Sequence, residues 1–290
     1  MRKLTLLLVL LLLLPTGILA QTMMPTYKDI PYASVNGKDL LLDLYLPENV
    51  SNPYLIVWIH GGAWQFGSKE NIWTDVIEAG YAMASVDFRQ ATEAAFPAQV
   101  YDIKAAIRFL RANAGQYGYR SDKVAIWGMS SGGHLAALVG VTNGNKELEG
   151  KVGGHLDQDS SAQAVIDFYG PTDFMTILEQ STPHGLSVRV PALKLLLGEP
   201  MDNPAIHDLA KLASPVFHVD KNDPPLLIMH GVQDNQVPVN QSLELQGAYQ
   251  KKGLDVQLEL VEGAGHMDGV YYEPRYIKIV DGFLARVLKK

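Results

Sequence analysis

Val124-Ala125-Ile126-Trp127-Gly128-Met129-Ser130-Ser131-Gly132-Gly133-His134-Leu135-Ala136 is the stretch that decides the fold. Its first four residues form a short, unbroken apolar run, the pattern of a strand buried on both faces. Gly128, Ser130 and Gly132 then match G-x-S-x-G, and residues 135–141 read as a helix. A serine on a sharp strand-to-helix turn has its hydroxyl lifted above the end of a sheet. Small residues flank it because the turn crowds the neighbouring strands.

The same alternation of strand and helix runs outward from this turn. Tyr54–Ile59, Ala82–Val86, Ala164–Phe168 and residues 226–229 are further short apolar runs, and Val256–Val261 is strand-like with a less clean pattern. Between them, Val100, Ile103, Ile107 and Leu110 recur at helical spacing. Residues 239–251 and 276–288 read as further helices, the last with Tyr276, Ile279, Val280, Phe283 and Val287 on one face. Such a pattern predicts an α/β fold with a mostly parallel central sheet and helices on both faces. Asn36-Gly37, inside an alternating stretch over residues 27–47, predicts a hairpin that adds antiparallel edge strands. Residues 174–214 break the pattern: they are proline-rich, with a helical piece over residues 192–197. They are expected to form a lid-like insertion near the carboxyl ends of the strands.

Composition narrows the chemistry. The chain has 290 residues, 47% hydrophobic and 19% charged, enough for one large domain with a sizeable core. It has no cysteine, which excludes disulfides, a thiolate nucleophile and thiolate metal sites. A formal charge of -7 argues against a nucleic-acid partner. Arg2 and Lys3, the leucine-rich run over residues 4–14 and the small residue Ala20 predict a secretory signal peptide over residues 1–20. That run is shorter than the roughly 20 residues of a membrane span. The expectation is therefore one domain over residues 21–290, secreted or periplasmic, with no stable membrane anchor after cleavage. Asn49 and Asn240 begin glycosylation sequons, which matter only in a eukaryotic secretory route.

A serine nucleophile needs a base, an acid that orients the base, and donors for the oxyanion. His60-Gly61-Gly62-Ala63-Trp64 follows the Tyr54–Ile59 strand, and its glycines leave backbone N–H groups free to face a ligand. The N–H of Ser131, next after the serine, supplies the other half of such a hole. His266 follows the strand Val256–Val261 and Asp234 follows residues 226–229, so both stand at carboxyl ends of strands, where open α/β sheets place their sites. Asp173 competes with Asp234 as the acid. Glu262 and Asp268 are nearer His266 in the chain but on an unsuitable loop. His60, His134 and Asp102 read as structural, whereas His184 and His207 are in the insertion, within possible reach of substrate. Trp64 is the aromatic best placed to line an acyl pocket. The histidines show no metal-ligand spacing, so no metal is expected.

Together, His60 to Trp64, Gly128 to Ala136, the stretch Met229-His230-Gly231-Val232-Gln233-Asp234-Asn235-Gln236-Val237-Pro238 and Gly265-His266 resemble the α/β-hydrolase superfamily. The likeness spans nearly the whole mature chain. Within it the chain looks like secreted carbohydrate esterases, the feruloyl and acetyl-xylan esterases of the Bacteroides type in the hormone-sensitive-lipase-like branch. That resemblance implies an eight-stranded sheet, no cofactor, Ser130 as nucleophile, Asp234 as acid and His266 as base. It implies oxyanion donors at Gly62, Ala63 and Ser131. Ala63 departs from the usual third glycine, though its N–H is kept. The activity implied is that of a serine carboxylesterase on acetyl or feruloyl esters of plant cell-wall polysaccharide. A general short-chain esterase and an arylformamidase use the same groups, and a non-catalytic binding module shares the fold.

Overall fold

The computed structural model describes residues 23–289, so the leader read over residues 1–20 lies outside the described residues. Strands β1 (Tyr27–Val35) and β2 (Lys38–Tyr45) form the expected hairpin. Asn36 and Gly37 turn it with φ of 52° and 80°, the left-handed pair that a tight two-residue hairpin requires. The remaining strands are β3 (Tyr54–Ile59), β4 (Ala82–Val86), β5 (Arg120–Met129), β6 (Ala164–Phe168), β7 (Leu226–Gly231) and β8 (Val256–Val261). They make one eight-stranded sheet in the order β1-β2-β4-β3-β5-β6-β7-β8. Strand β2 runs antiparallel to both β1 and β4, and every pairing from β4 to β8 is parallel. This is the α/β-hydrolase fold.

The helices are α1 (Asp75–Glu78), α2 (Ala98–Ala112), α3 (Ala114–Tyr117), α4 (Ser131–Gly140), α5 (Ile177–Gln180), α6 (Pro183–Leu197), α7 (His207–Leu212), α8 (Asn240–Lys251) and α9 (Pro274–Leu288). They build two cores. Leu55, Val57 and Ile59 of β3 point to one face and pack with Val100, Ile103 and Ile107 of α2 and with Leu135 and Leu138 of α4. Ile56 and Trp58 point to the other face and pack with Val280, Phe283 and Leu284 of α9. Both faces being covered is why the central strands read as unbroken apolar runs. Each such side chain contributes about 1.5–3 kcal/mol by leaving water.

Several elements are longer than the sequence pattern indicates, β5 and α6 the most. Strand β5 begins at Arg120, where pairing with Tyr54 and a guanidinium 4.1 Å above that ring extend it through polar residues. Helix α6 begins nine residues before the expected helical piece at 192. Thr182 caps it, its Oγ1 accepting the Gly185 N–H at 3.0 Å, with Pro183 in the first turn. Pro191 lies inside the helix on its exposed side. Packing of Ala192, Leu193 and Leu196 into the core outweighs the hydrogen bond that the proline removes. The N-terminal turn of α6 rests on the loop after β7: a Cβ on Gly185 would lie 3.0 Å from the Gln236 carbonyl oxygen. Among the described residues no helix is long and apolar enough to cross a membrane.

Candidate active site

Ser130 stands between β5 and α4 with φ at 55°, a left-handed conformation that is strained for a residue with a side chain. Its N–H donates to the Phe168 carbonyl at 2.8 Å, and its carbonyl accepts the His134 N–H at 3.0 Å. The turn therefore bridges β6 and the first turn of α4. Glycine is required on both sides. A Cβ at Gly128 would overlap the Gly132 carbonyl, and one at Gly132 would overlap the carbonyl oxygens of Ile59 and His60.

The structure brings Ser130, His266 and Asp234 into one chain of hydrogen bonds. Ser130 Oγ is 2.9 Å from His266 Nε2, and His266 Nδ1 is 2.7 Å from Asp234 Oδ2. The other Asp234 oxygen accepts the N–H groups of Gln236 and Val237 at 2.8 and 2.9 Å, which fixes the carboxylate plane. Tyr169 packs its ring edgewise on the imidazole at 4.8 Å. Burial raises the Asp234 carboxyl, but hydrogen bonds from His230 and His266, and their charges, outweigh it and hold the group well below the usual carboxylate range. Burial pushes the His266 imidazole down from 6.5, further than the hydrogen bond and charge of Asp234 raise it. The base is thus kept unprotonated at neutral pH while its acid stays ionised.

The glycine loop after β3 faces this group. Gly62, Ala63 and Trp64 have φ of 121°, 53° and 61°, so the chain curls tightly. The Gly62 carbonyl accepts the N–H groups of Gln65 and Phe66 at 3.0 and 2.9 Å, which locks the curl. The N–H groups of Gly62, Ala63 and Ser131 meet no protein acceptor among the described residues. Ala63 holds a conformation that favours glycine, so the departure from a third glycine is accommodated by strain. A cavity of about 490 Å³ opens beside the loop, with walls from Gly61, Gly62, Met129, Ile72, Met267 and Tyr272. Met129 precedes Ser130 and Met267 follows His266, so the cavity adjoins the hydrogen-bonded group.

Trp64 does not line this cavity, which corrects the expectation that it would. Its side chain is wholly buried, and Nε1 donates to His134 Nδ1 at 3.0 Å. The Phe174 ring meets it edge-on at 5.6 Å. The left-handed φ at Trp64 turns the indole inward beneath the loop. Its partner His134 passes its other nitrogen to the Ala213 carbonyl at 2.7 Å, and burial pushes that imidazole down to about 4.

Asp173 is not the partner of His266: its carboxylate accepts the Met175 N–H at 2.8 Å. Asp268 caps the short turn Gly269–Tyr272. His60 bonds the Gly61 carbonyl at 2.7 Å and stacks on Phe88, and Asp102 pairs with Arg89. His207 bonds the Met201 carbonyl at 3.1 Å, and His184 is exposed on α6. The residue that pattern reading passes over is His230. It is fully buried, with Nε2 3.0 Å from the Val237 carbonyl and 3.3 Å from Asp234 Oδ2, and Nδ1 2.6 Å from Ser242 Oγ. Its position at the end of β7, four residues before Asp234, was the available signal.

Comparison with known proteins agrees with this architecture. The chain is 28% identical over 232 residues to esterase LipQ of Mycobacterium tuberculosis, a match that covers 78% of this chain and 53% of that protein. The chain spans about half the length of the curated relatives it first matches. A solved truncated form of a carbohydrate esterase from gut microbiota superposes with a TM-score of 0.82 at 34% identity, covering 91% of this chain and 96% of that one. A bifunctional GH43-CE protein of Bacteroides eggerthii superposes with a TM-score of 0.80 at 34% identity, covering 90% of this chain and 35% of that one. The BD-FAE family model matches residues 42–249, from β2 through Ser130 and Asp234 into α8, and the chain belongs to the BD-FAE family.

Proposed function

We propose that this protein is a serine carboxylic ester hydrolase. The observation that carries the reading is the continuous relay from Ser130 Oγ through His266 to Asp234, at 2.9 and 2.7 Å, beside three backbone N–H groups with no protein acceptor among the described residues. As the Ser130 hydroxyl attacks the ester carbonyl, His266 Nε2 takes its proton. Asp234 holds the imidazole in the Nδ1–H tautomer and stabilises the cation that forms. The N–H groups of Gly62, Ala63 and Ser131 receive the oxyanion, each contributing about 3 kcal/mol by comparison with similar holes. The tetrahedral intermediate collapses as His266 returns the proton to the leaving alcohol. Water, activated by the same imidazole, then releases the acid from Ser130.

The substrates proposed are acetyl or feruloyl esters on plant cell-wall polysaccharide, met outside the cytoplasm after export through the leader. The carbohydrate-esterase titles of two solved neighbours support this choice. So does an open cavity of about 490 Å³ with Trp58, Ile72 and Tyr272 in its walls, shaped to take an acyl group or a sugar ring. Release of ferulate and acetate from feruloylated and acetylated xylan fragments, with Ser130→Ala as the blank, tests the reading. Release by the wild type alone is expected. Cleavage of para-nitrophenyl butyrate without release from either xylan fragment would replace the polysaccharide substrate with a general short-chain ester.

A further inference from the structure

Tyr272 is a large aromatic residue that is half exposed and yet firmly held. It ends the short turn Gly269–Tyr272, is 50% exposed, and forms part of the wall of the cavity beside the glycine loop. Its ring stacks on that of Trp73, with centroids 4.3 Å apart and 24° between the planes. Trp73 is buried and leads into the core. Its ring lies 5.2 Å from that of Trp127 on β5, and Trp127 meets Trp58 of β3 edge-on at 5.1 Å. Tyr272 is thus the outermost ring of an aromatic column that begins in the sheet. Trp73 covers one face of it, which leaves the opposite face to the cavity.

The turn that carries Tyr272 is tied to the catalytic group. Tyr271, the residue before it, is buried and packs on the Tyr169 ring at 4.8 Å, and Tyr169 packs on the His266 imidazole at 4.8 Å. The same cavity reaches the nucleophile. Its wall includes Gly61, where a Cβ would lie 3.4 Å from the Ser130 Cβ, and Met129, the residue before Ser130. Met129 and Met267 complete the apolar lining near the serine and the base. Both are flexible side chains that adapt to a ring, and their sulfur atoms make favourable contacts with an aromatic one.

We propose that Tyr272 is the stacking platform by which the site selects esters that carry a ring next to the scissile bond. A tyrosine ring already fixed by its neighbours offers a wide contact face and gives up little conformational freedom on binding. The proposal deepens the hydrolase reading above and rests on it. The ring has two sources, an aromatic acyl group in the acid half of the ester or a pyranose in its alcohol half. Each lays a flat face of carbon and hydrogen on the tyrosine.

Matched pairs of esters measured on wild type, Tyr272→Phe and Tyr272→Leu test it. Methyl cinnamate against methyl crotonate probes the acid half, since both are conjugated methyl esters and only the first has a ring. Methyl 2-O-acetyl-xyloside against isopropyl acetate probes the alcohol half, since both are acetates of secondary alcohols. In one pair the wild type is expected to show the lower KM for the ring-bearing member. Tyr272→Leu should shrink that KM preference by about threefold to tenfold, the range for an aromatic pair, while Tyr272→Phe keeps it. The effect should fall on KM rather than on kcat. The melting temperature of Tyr272→Leu should drop by about 4 °C or less, the loss of one half-exposed stack. Equal wild-type KM values within both pairs would overturn the proposal. So would a Tyr272→Leu variant with a larger drop in melting temperature that slows ring-bearing and ring-free esters alike, since that marks a structural role. Hydrolysis of all four esters with a preference that Tyr272→Leu does not move sinks the Tyr272 assignment alone. Absence of all hydrolysis sinks the hydrolase reading and this inference with it.

Discussion

Asp234 Oδ2 lies 3.3 Å from Nε2 of His230, and the same oxygen takes the 2.7 Å hydrogen bond from His266. Two imidazoles therefore share one carboxylate oxygen. Nε2 of His230 faces two acceptors, Asp234 Oδ2 and the Val237 carbonyl, so it carries the hydrogen, while Nδ1 faces the Ser242 hydroxyl. His230 thereby acts as a positioning residue for the acid. In His230→Asn, kcat is expected to fall about tenfold to a hundredfold with KM little changed, and stability by about 1–3 kcal/mol. Because His230 helps to lower the His266 ionisation, the acid limb of activity should also move to higher pH. An unmoved limb together with an unchanged kcat would reduce His230 to packing.

The pH profile follows from His266. The base works unprotonated, and its ionisation is lowered from 6.5, chiefly by burial. A lowered value keeps the imidazole unprotonated further into acid. Activity should therefore hold below pH 6.5 and fall only as pH drops through the lowered value. Initial rates of neutral ester hydrolysis across this range measure it, and a limb centred above 6.5 would contradict the burial of this group.

The acid assignment separates cleanly by substitution. Ser130→Ala is expected to lose on the order of 10⁶ in kcat and Asp234→Asn on the order of 10⁴, both with folding intact. Asp173→Asn should stay within a few-fold of wild type, because its carboxylate accepts backbone N–H groups, that of Met175 at 2.8 Å first, and an amide oxygen does the same. An Asp173→Asn enzyme slower than Asp234→Asn would reverse the assignment.

Gly132 tests the elbow through stability. A Cβ there overlaps the backbone carbonyls of Ile59 and His60, which cannot retreat without breaking the β3–α4 contact. Gly132→Ala should cost about 3 kcal/mol or more, a fall of roughly 6 °C or more in melting temperature. Gly115→Ala, on α3 with nothing within 4 Å of the added carbon, serves as the control and should be neutral or slightly stabilising.

Trp64→Phe removes the 3.0 Å bond to His134 from a fully buried pair. Loss of about 1–3 kcal/mol of stability is expected, from the His134 acceptor left without a donor. Acyl-chain selectivity, measured over a series of para-nitrophenyl esters, should not change. A shift in selectivity without loss of stability would return Trp64 to the pocket wall.

The strands and the elbow were legible because their determinants are local. A strand buried on both faces is mostly apolar, so Tyr54–Ile59, Ala82–Val86 and Ala164–Phe168 were bounded correctly from their apolar runs, and Val256–Val261, half-buried at the sheet edge, from its alternation. Helix α6 was underestimated because Pro191 interrupts its pattern, and only contact with the core restores the helix. Trp64 was misplaced for a related reason. Where its indole points depends on a backbone turn with φ of 61°, which no side-chain pattern encodes.

By itself the sequence determined the α/β order of elements, the serine on its glycine-flanked turn, and the strand ends that carry Asp234 and His266. These follow from apolar periodicity and from the steric demands of a tight turn, both written in neighbouring residues. Only the tertiary structure decided that Asp234 rather than Asp173 meets His266, that His230 touches the same carboxylate, and that Arg189 is buried with no carboxylate partner among the described residues. Each of those facts is a distance between residues far apart in the chain. It is set by how strands β5, β7 and β8 are ordered in the sheet and by where α6 comes to rest.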